Sequence, residues 1–134
     1  MKLLLDTHII LWSLMNPEKL SNVAIDLLQS DNAEIYYSTA SVWEVAIKHM
    51  AKPESMKLSG SEFADMCKQA GYSKININDD HVKSLETITR PASAPKHNDP
   101  FDRMLLAQAK AEGMRFVTHD SLIPYYDESC IFPV

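Results

Sequence analysis

The 134-residue sequence predicts an α/β fold, with a mainly parallel sheet covered by helices on both faces. Three observations carry this expectation. Short runs of strand-forming residues alternate with longer segments of helical periodicity, which is the pattern of a layered α/β protein. The first run, Leu3-Leu4-Leu5, is apolar at consecutive positions, as suits a strand buried on both faces of a parallel sheet. Acidic residues follow several of the runs, and open α/β sheets gather their chemistry at the carboxyl ends of strands.

The elements follow in order. Lys2–Asp6 is the first strand, and a short helix spans Ile9–Leu14. Pro17 disfavours helix at Asn16 and ends it. Ser21 offers an N-cap to a second helix reaching Ser30, with Val23, Ala24, Leu27 and Leu28 as its apolar stripe. Asp31-Asn32 turns the chain into a second strand, Glu34–Ser38, rich in β-formers. A third helix runs Ser41–Ala51 and stops before Pro53; a fourth covers Glu62–Ala70 and is closed by Gly71. Ser73–Asn78 alternates polar and apolar residues, as a half-exposed strand does. Asp79–Ile88 is a helix capped by Asn78 or Asp79, and Arg90–His97, with Pro91 and Pro95, is irregular.

Asp99-Pro100-Phe101-Asp102 opens the clearest helix: Asp99 suits the N-cap, Pro100 the first helical position and Asp102 the third. Leu105, Leu106 and Ala109 form its buried face and Gly113 closes it. Arg115–Thr118 is a strand, Ser121–Tyr126 a short helix and Cys130–Phe132 a last short strand. No internal repeat, low-complexity stretch or linker is visible, so residues 1–134 read as a single domain.

Composition narrows the function. Three glycines leave no dinucleotide fingerprint and no phosphate-cradling loop, and there is no GxSxG elbow. A formal net charge of −5 argues against a broad basic surface for nucleic acid, but not against a local acidic site holding a cation. Cys67 and Cys130 are isolated and form no CxxC pair, which fits buried thiols in a reducing compartment. Asp6 and His8 interrupt the opening apolar run too early for a signal peptide, and no run has the length of a membrane span. A soluble, cytoplasmic protein is expected.

Four acids fall at corresponding places. Asp6 ends the first strand, Glu44 lies in the helix after the second, Asp102 opens the helix after the proline loop and Asp120 follows the Phe116–Thr118 strand. With parallel strands they share one edge of the domain. Their convergence costs Coulomb repulsion that a cation offsets, and hard carboxylate oxygens suit Mg²⁺ or Mn²⁺. Each acid also has a structural reading. Asp6 can be a turn or cap residue, and Ser41-Val42-Trp43-Glu44 fits a capping box. Glu44 can pair with Lys48 four residues on, and Asp102 complements the helix dipole. Asp120 can be a turn residue, so the coincidence of the four positions is what favours a site.

None of the five histidines has zinc-motif spacing; His49 and His81 read as surface helix residues, while His97 lies near Asp99 and Asp102 and can support the site. Thr118 can hydrogen-bond an acid, although a β-branched residue in a strand is ordinary. Tyr36 and Tyr37 read as core rather than a base-stacking platform. Lys48, Lys96 and Arg103 are the bases near the acids, with Lys48 and Arg103 read as solvated helix residues.

In this order the motifs resemble those of the PIN-domain family, and within it the VapC-type toxin ribonucleases of type II toxin–antitoxin pairs. The matching stretches are Leu4-Leu5-Asp6-Thr7-His8 with Leu11-Trp12, Ser41–Lys48, His97–Ala109 and Phe116-Val117-Thr118-His119-Asp120. The resemblance implies a PIN-like three-layer α/β/α sandwich and an endoribonuclease dependent on Mg²⁺ or Mn²⁺. By motif position, Asp6, Glu44 and Asp102 are its main catalytic and metal-binding acids and Asp120 the fourth, with Thr118, His97 and Asp99 in possible support. Asp99 is favoured as a cap. The resemblance further implies a homodimer, an RNA substrate, a cognate antitoxin, and DNA contact only through that antitoxin. RNA hydrolysis by metal-activated water is the expected reaction. The alternatives are a PIN nuclease of RNA processing that is not a toxin, and a non-catalytic Mg²⁺-binding regulatory module. A phospho-receiver needs a late strand-end lysine that the sequence lacks, and a flap-type DNA nuclease needs more chain.

Overall fold

The structure, a computed structural model, describes residues Met1–Val134. Five strands form one all-parallel sheet: β1 (Lys2–Leu5), β2 (Glu34–Ser38), β3 (Ser73–Ile75), β4 (Arg115–Thr118) and β5 (Ile131–Pro133), in the order β3-β2-β1-β4-β5. The leucine strand is thus central, with Leu4 opposite Tyr36 on one side and Phe116 on the other. The helices are α1 (Thr7–Met15), α2 (Asn22–Leu28), α3 (Thr39–Ala51), α4 (Gly60–Gln69), α5 (Asp79–Leu85) and α6 (Pro100–Glu112), with 3₁₀ turns at Pro17–Lys19 and Ile123–Tyr125.

The period of two along the strands builds the layers. Leu4 and Phe116 point to a core shared with Leu105, Leu106 and Ala109 of α6. Leu3, Leu5 and Val117 point to the opposite core, with Ile9 and Ile10 of α1, Val45 of α3 and Phe63 of α4. Each buried Leu or Phe contributes roughly 1.5–3 kcal/mol of transfer free energy, so the consecutive leucines of β1 add to both cores at once. No helix is long and apolar enough to cross a membrane.

Several expectations change in detail. α1 begins at Thr7 rather than Ile9, because Asp6 caps it directly. Val23 is 56% exposed, so the α2 stripe is narrower than its sequence suggests. β3 ends at Ile75, three residues short of Asn78, and Asn78 caps α5. The Ser121–Tyr126 segment makes only a 3₁₀ turn. His81 is fully buried instead of lying on the surface, held between Glu112 (Nε2 to Oε1, 2.8 Å) and the Asn78 amide. His49 is partly exposed and bonds the Met56 carbonyl, 2.7 Å away. Cys67 is buried as expected, and Cys130 only partly so.

Candidate active site

Nine polar or charged residues are buried, and six of them (Asp6, Thr7, Ser38, Ser41, Glu44 and Thr118) lie at or just beyond the carboxyl ends of β1, β2 and β4. Asp6 leaves β1 with its amide bonded to the Val117 carbonyl at 2.9 Å. Its Oδ1 accepts the Thr7 amide at 2.7 Å, which caps α1, and its Oδ2 accepts the Thr118 hydroxyl at 2.7 Å. Thr118 Oγ1 in turn accepts the Asp120 amide at 3.1 Å, so one hydroxyl joins two acids. Burial pushes the Asp6 carboxyl up to about 6; the bonds from Thr118 and Thr7 oppose this and the Glu44 charge adds to it.

Glu44 is 3% exposed and fully engaged. Oε1 accepts the Thr7 hydroxyl at 2.7 Å, and Oε2 accepts Lys48 Nζ at 2.6 Å. The Ser41–Glu44 capping box does not form. α3 starts earlier, with Ser38 Oγ accepting the Ala40 amide, and Ser41 Oγ instead lies 2.8 Å from Thr7 Oγ1. The Glu44–Lys48 pair four residues apart is present, and Lys48 is a partner of the acids rather than a free solvated side chain. Burial pulls the Lys48 ammonium down, but the Glu44 bond and the charges of Glu44, Asp99 and Asp102 outweigh it and raise its pKa.

Asp99 caps α6: its Oδ1 accepts the amides of Phe101 at 2.9 Å and Asp102 at 3.1 Å. The Asp102 side chain therefore leaves the first turn, where its Oδ2 meets His97 Nε2 at 3.1 Å. His97 is fixed from behind by the Tyr126 hydroxyl, 2.8 Å from Nδ1. Burial lowers the His97 pKa, opposed by Asp120 and Asp99. Burial, followed by the charges of Asp6, Asp99, Glu44 and Asp120, pushes Asp102 up to about 8. The pair thus favours a protonated Asp102 beside a neutral imidazole near neutral pH.

Asp6, Glu44, Lys48, Asp99 and Asp102 line a cavity of about 340 Å³ together with Asp120 and an aromatic wall. Five carboxylates line it (Asp6, Glu44, Asp99, Asp102 and Asp120), with Lys48 as the only lysine. One wall is aromatic: the Trp12 ring lies 6.1 Å from that of His8 and 5.5 Å from that of His119. His97, Asp102 and Asp120 each offer a ligand atom, all within 4.8 Å of one another. Asp6 and Glu44 face the same cavity but stand outside that trio, each oriented by its own hydroxyl or ammonium donors. All four acids that the sequence singled out therefore reach one cavity.

A sequence model of the PIN domain matches residues 3–128. The chain belongs to the PIN domain family. That family is one of nucleases, which generally use divalent metals. The PIN fold of this chain is similar to a chain in the crystal structure of VapBC2 from Rickettsia felis bound to a DNA fragment from their promoter. The TM-score is 0.61 at 16% identity, covering 90% of this chain and 89% of the other. It is also similar to a chain of a toxin–antitoxin complex from Klebsiella pneumoniae, with a TM-score of 0.59 at 16% identity and 98% of each chain covered. No curated protein matches the sequence.

Within this PIN domain, Thr7 is a site residue whose role the sequence does not announce. Its hydroxyl couples the end of β1 to Glu44 on α3. The signal available beforehand was a small hydroxyl residue next to the strand-end acid, and that alone does not specify a partner 37 residues away. The pairing of Lys48 with Glu44 was legible from their spacing, but the aromatic wall was not, because only the fold brings Trp12 of α1 beside His119 past the end of β4.

Proposed function

We propose that this PIN domain is a divalent-cation-dependent endoribonuclease, the toxin of a type II toxin–antitoxin pair. The observation that carries the reading is the cavity lined by five carboxylates, in which Asp102 is held up to about 8 by burial and by its acidic neighbours. So many acids in one recess call for a cation, and the donor set of oxygens with one imidazole suits Mg²⁺ or Mn²⁺. Asp6, Glu44, Asp102 and Asp120 would hold it, with His97 beside Asp102. When bound there, a divalent ion offsets the carboxylate repulsion, polarises phosphate oxygens and lowers the pKa of water.

The chain's own groups set the geometry. Thr118 and Thr7 fix Asp6 and Glu44 in single orientations. Asp99 caps α6 and so presents Asp102, and Tyr126 and His97 hold that carboxyl from behind. Lys48 neutralises part of the Glu44 charge, easing the approach of a polyanion. The single domain over 1–134, the homodimer and the cytoplasmic location belong to the same reading. So do an antitoxin partner and DNA contact made only through it; the likeness in fold to chains of two toxin–antitoxin assemblies supports this, one of them on promoter DNA.

The test is the chemistry of the cut ends. Incubated with defined single-stranded and transfer RNAs and Mg²⁺ or Mn²⁺, the protein should leave 5′-phosphate and 3′-hydroxyl ends, the products of attack by water. Ends carrying 2′,3′-cyclic phosphate would mean that the RNA's own 2′-hydroxyl is the nucleophile and would overturn the mechanism.

A further inference from the structure

The acidic cavity shares part of its wall with a second recess of about 320 Å³, and the two differ in charge. The second is lined by His8, Lys48, Ala51, Lys52, Ser55 and Met56. None of these is an acid, in a chain whose net charge is −5. His8 and Lys48 line both cavities, so the two are contiguous across those side chains. Lys48 is committed to Glu44 on the acidic side. Lys52, one turn further along, is exposed and forms no ion pair. The α3 backbone closes there, with the Lys52 amide bonded to the Lys48 carbonyl and the Ser55 amide to the Lys52 carbonyl. The Lys52 ammonium, the His8 ring and the Ser55 hydroxyl are thus the polar groups left to meet a ligand. The exposed carbonyl end of a helix repels anions, so what makes this recess attractive to one is the unpaired Lys52 ammonium, with Lys48 beside it.

We propose that this recess is a backbone-phosphate subsite, holding a phosphodiester of the RNA strand adjacent to the one presented to the carboxylates. The inference rests on the nuclease reading of the acidic cavity and adds to it how a strand is held there. A strand crossing from one cavity to the other meets Lys52, Ser55 and His8 on one side and the acids on the other, with Lys48 between. Contacts of this kind fix register and orientation without reading sequence. They also supply the local positive charge that a polyanion needs in order to approach five carboxylates.

The experiment is equilibrium binding of a fluorescently labelled single-stranded RNA to the full-length protein in EDTA, titrated over salt. The recess uses no metal ligand, so its contact persists without divalent ion. Lys52→Ala should weaken binding about three- to ten-fold at low salt, uniformly across RNA sequences, and reduce the slope of log Kd against log salt by about 0.7. Lys52→Arg should retain most of the affinity, and Lys68→Ala, an exposed position on α4, should match wild type. In Mg²⁺, Lys52→Ala should raise KM and leave kcat nearly unchanged. Equal affinity and salt slope for Lys52→Ala and wild type would overturn the subsite, as would no RNA binding by wild type in EDTA. Either result leaves the nuclease reading standing if divalent-dependent cleavage persists; absence of that cleavage in wild type would remove the nuclease reading itself.

Discussion

Two carboxyls in this PIN domain, Asp6 at about 6 and Asp102 at about 8, are held well above the ordinary aspartate value, first by burial and then by neighbouring acids. Well below about pH 4 an aspartate is protonated in both the folded and the unfolded chain, so the shifts have no effect there. As pH rises, the unfolded chain releases these protons first and the folded chain keeps them, so stability falls. The decline from Asp6 ends near pH 6 and that from Asp102 near pH 8. Asp102→Asn removes the larger part. In EDTA at pH 8 it should raise stability by about 1–3 kcal/mol, at roughly 1.4 kcal/mol per pKa unit discounted for the weakened His97 contact. Chemical denaturation across pH 4–9 checks this; a variant less stable than wild type at pH 8 would deny the crowding of charge. Asp6→Asn keeps an oxygen for the Thr7 amide, so the fold should survive. Cleavage should fall by more than about 100-fold, since changes one shell further out already cost 10–100-fold.

At the scale of elements, the acids are placed by local devices whose costs can be measured. Asp99→Ala removes the cap of α6 and should cost about 1 kcal/mol, while Asp99→Ser should recover most of it. If Asp99→Ser restored stability but not activity, Asp99 would be more than a cap. α3 and α4 cross at Gly60, where an added Cβ would stand 2.8 Å from Ala46 Cβ and 3.1 Å from the Val42 carbonyl. Gly60→Ala should therefore cost about 1–3 kcal/mol by overpacking, read in thermal melts. It should also lower activity, because α3 carries Glu44 and Lys48.

The start of α6 and its end at Gly113, with φ of 66°, were legible because cap, proline and glycine signals are local. β1 was legible because three consecutive leucines ending at an acid, with an amphipathic segment starting at once, suit a doubly covered strand. The start of α3 was not, because Ser41 satisfies its hydroxyl against Thr7 rather than against its own helix. His81 was misread for a related reason: its position on α5 looks solvent-facing until α6 packs across it and supplies Glu112. In both places a contact distant in sequence replaced the local one.

At the scale of the molecule, five parallel strands bring acids from residues 6, 44, 102 and 120 to one edge, and the fold bears their repulsion when no cation is present. A cation that binds only the folded state must then stabilise it. Mg²⁺ or Mn²⁺ at a hundredfold excess over Kd should add about 2.7 kcal/mol, seen as a higher Tm than in EDTA, and Asp102→Asn should lose most of that increment. The most direct measurement of the account is cleavage of an end-labelled RNA by wild type and Asp6→Asn, side by side in Mg²⁺ and in excess EDTA. The carboxylate site predicts cutting by wild type in Mg²⁺ alone. Equal cutting in EDTA, or by Asp6→Asn, would place the chemistry elsewhere.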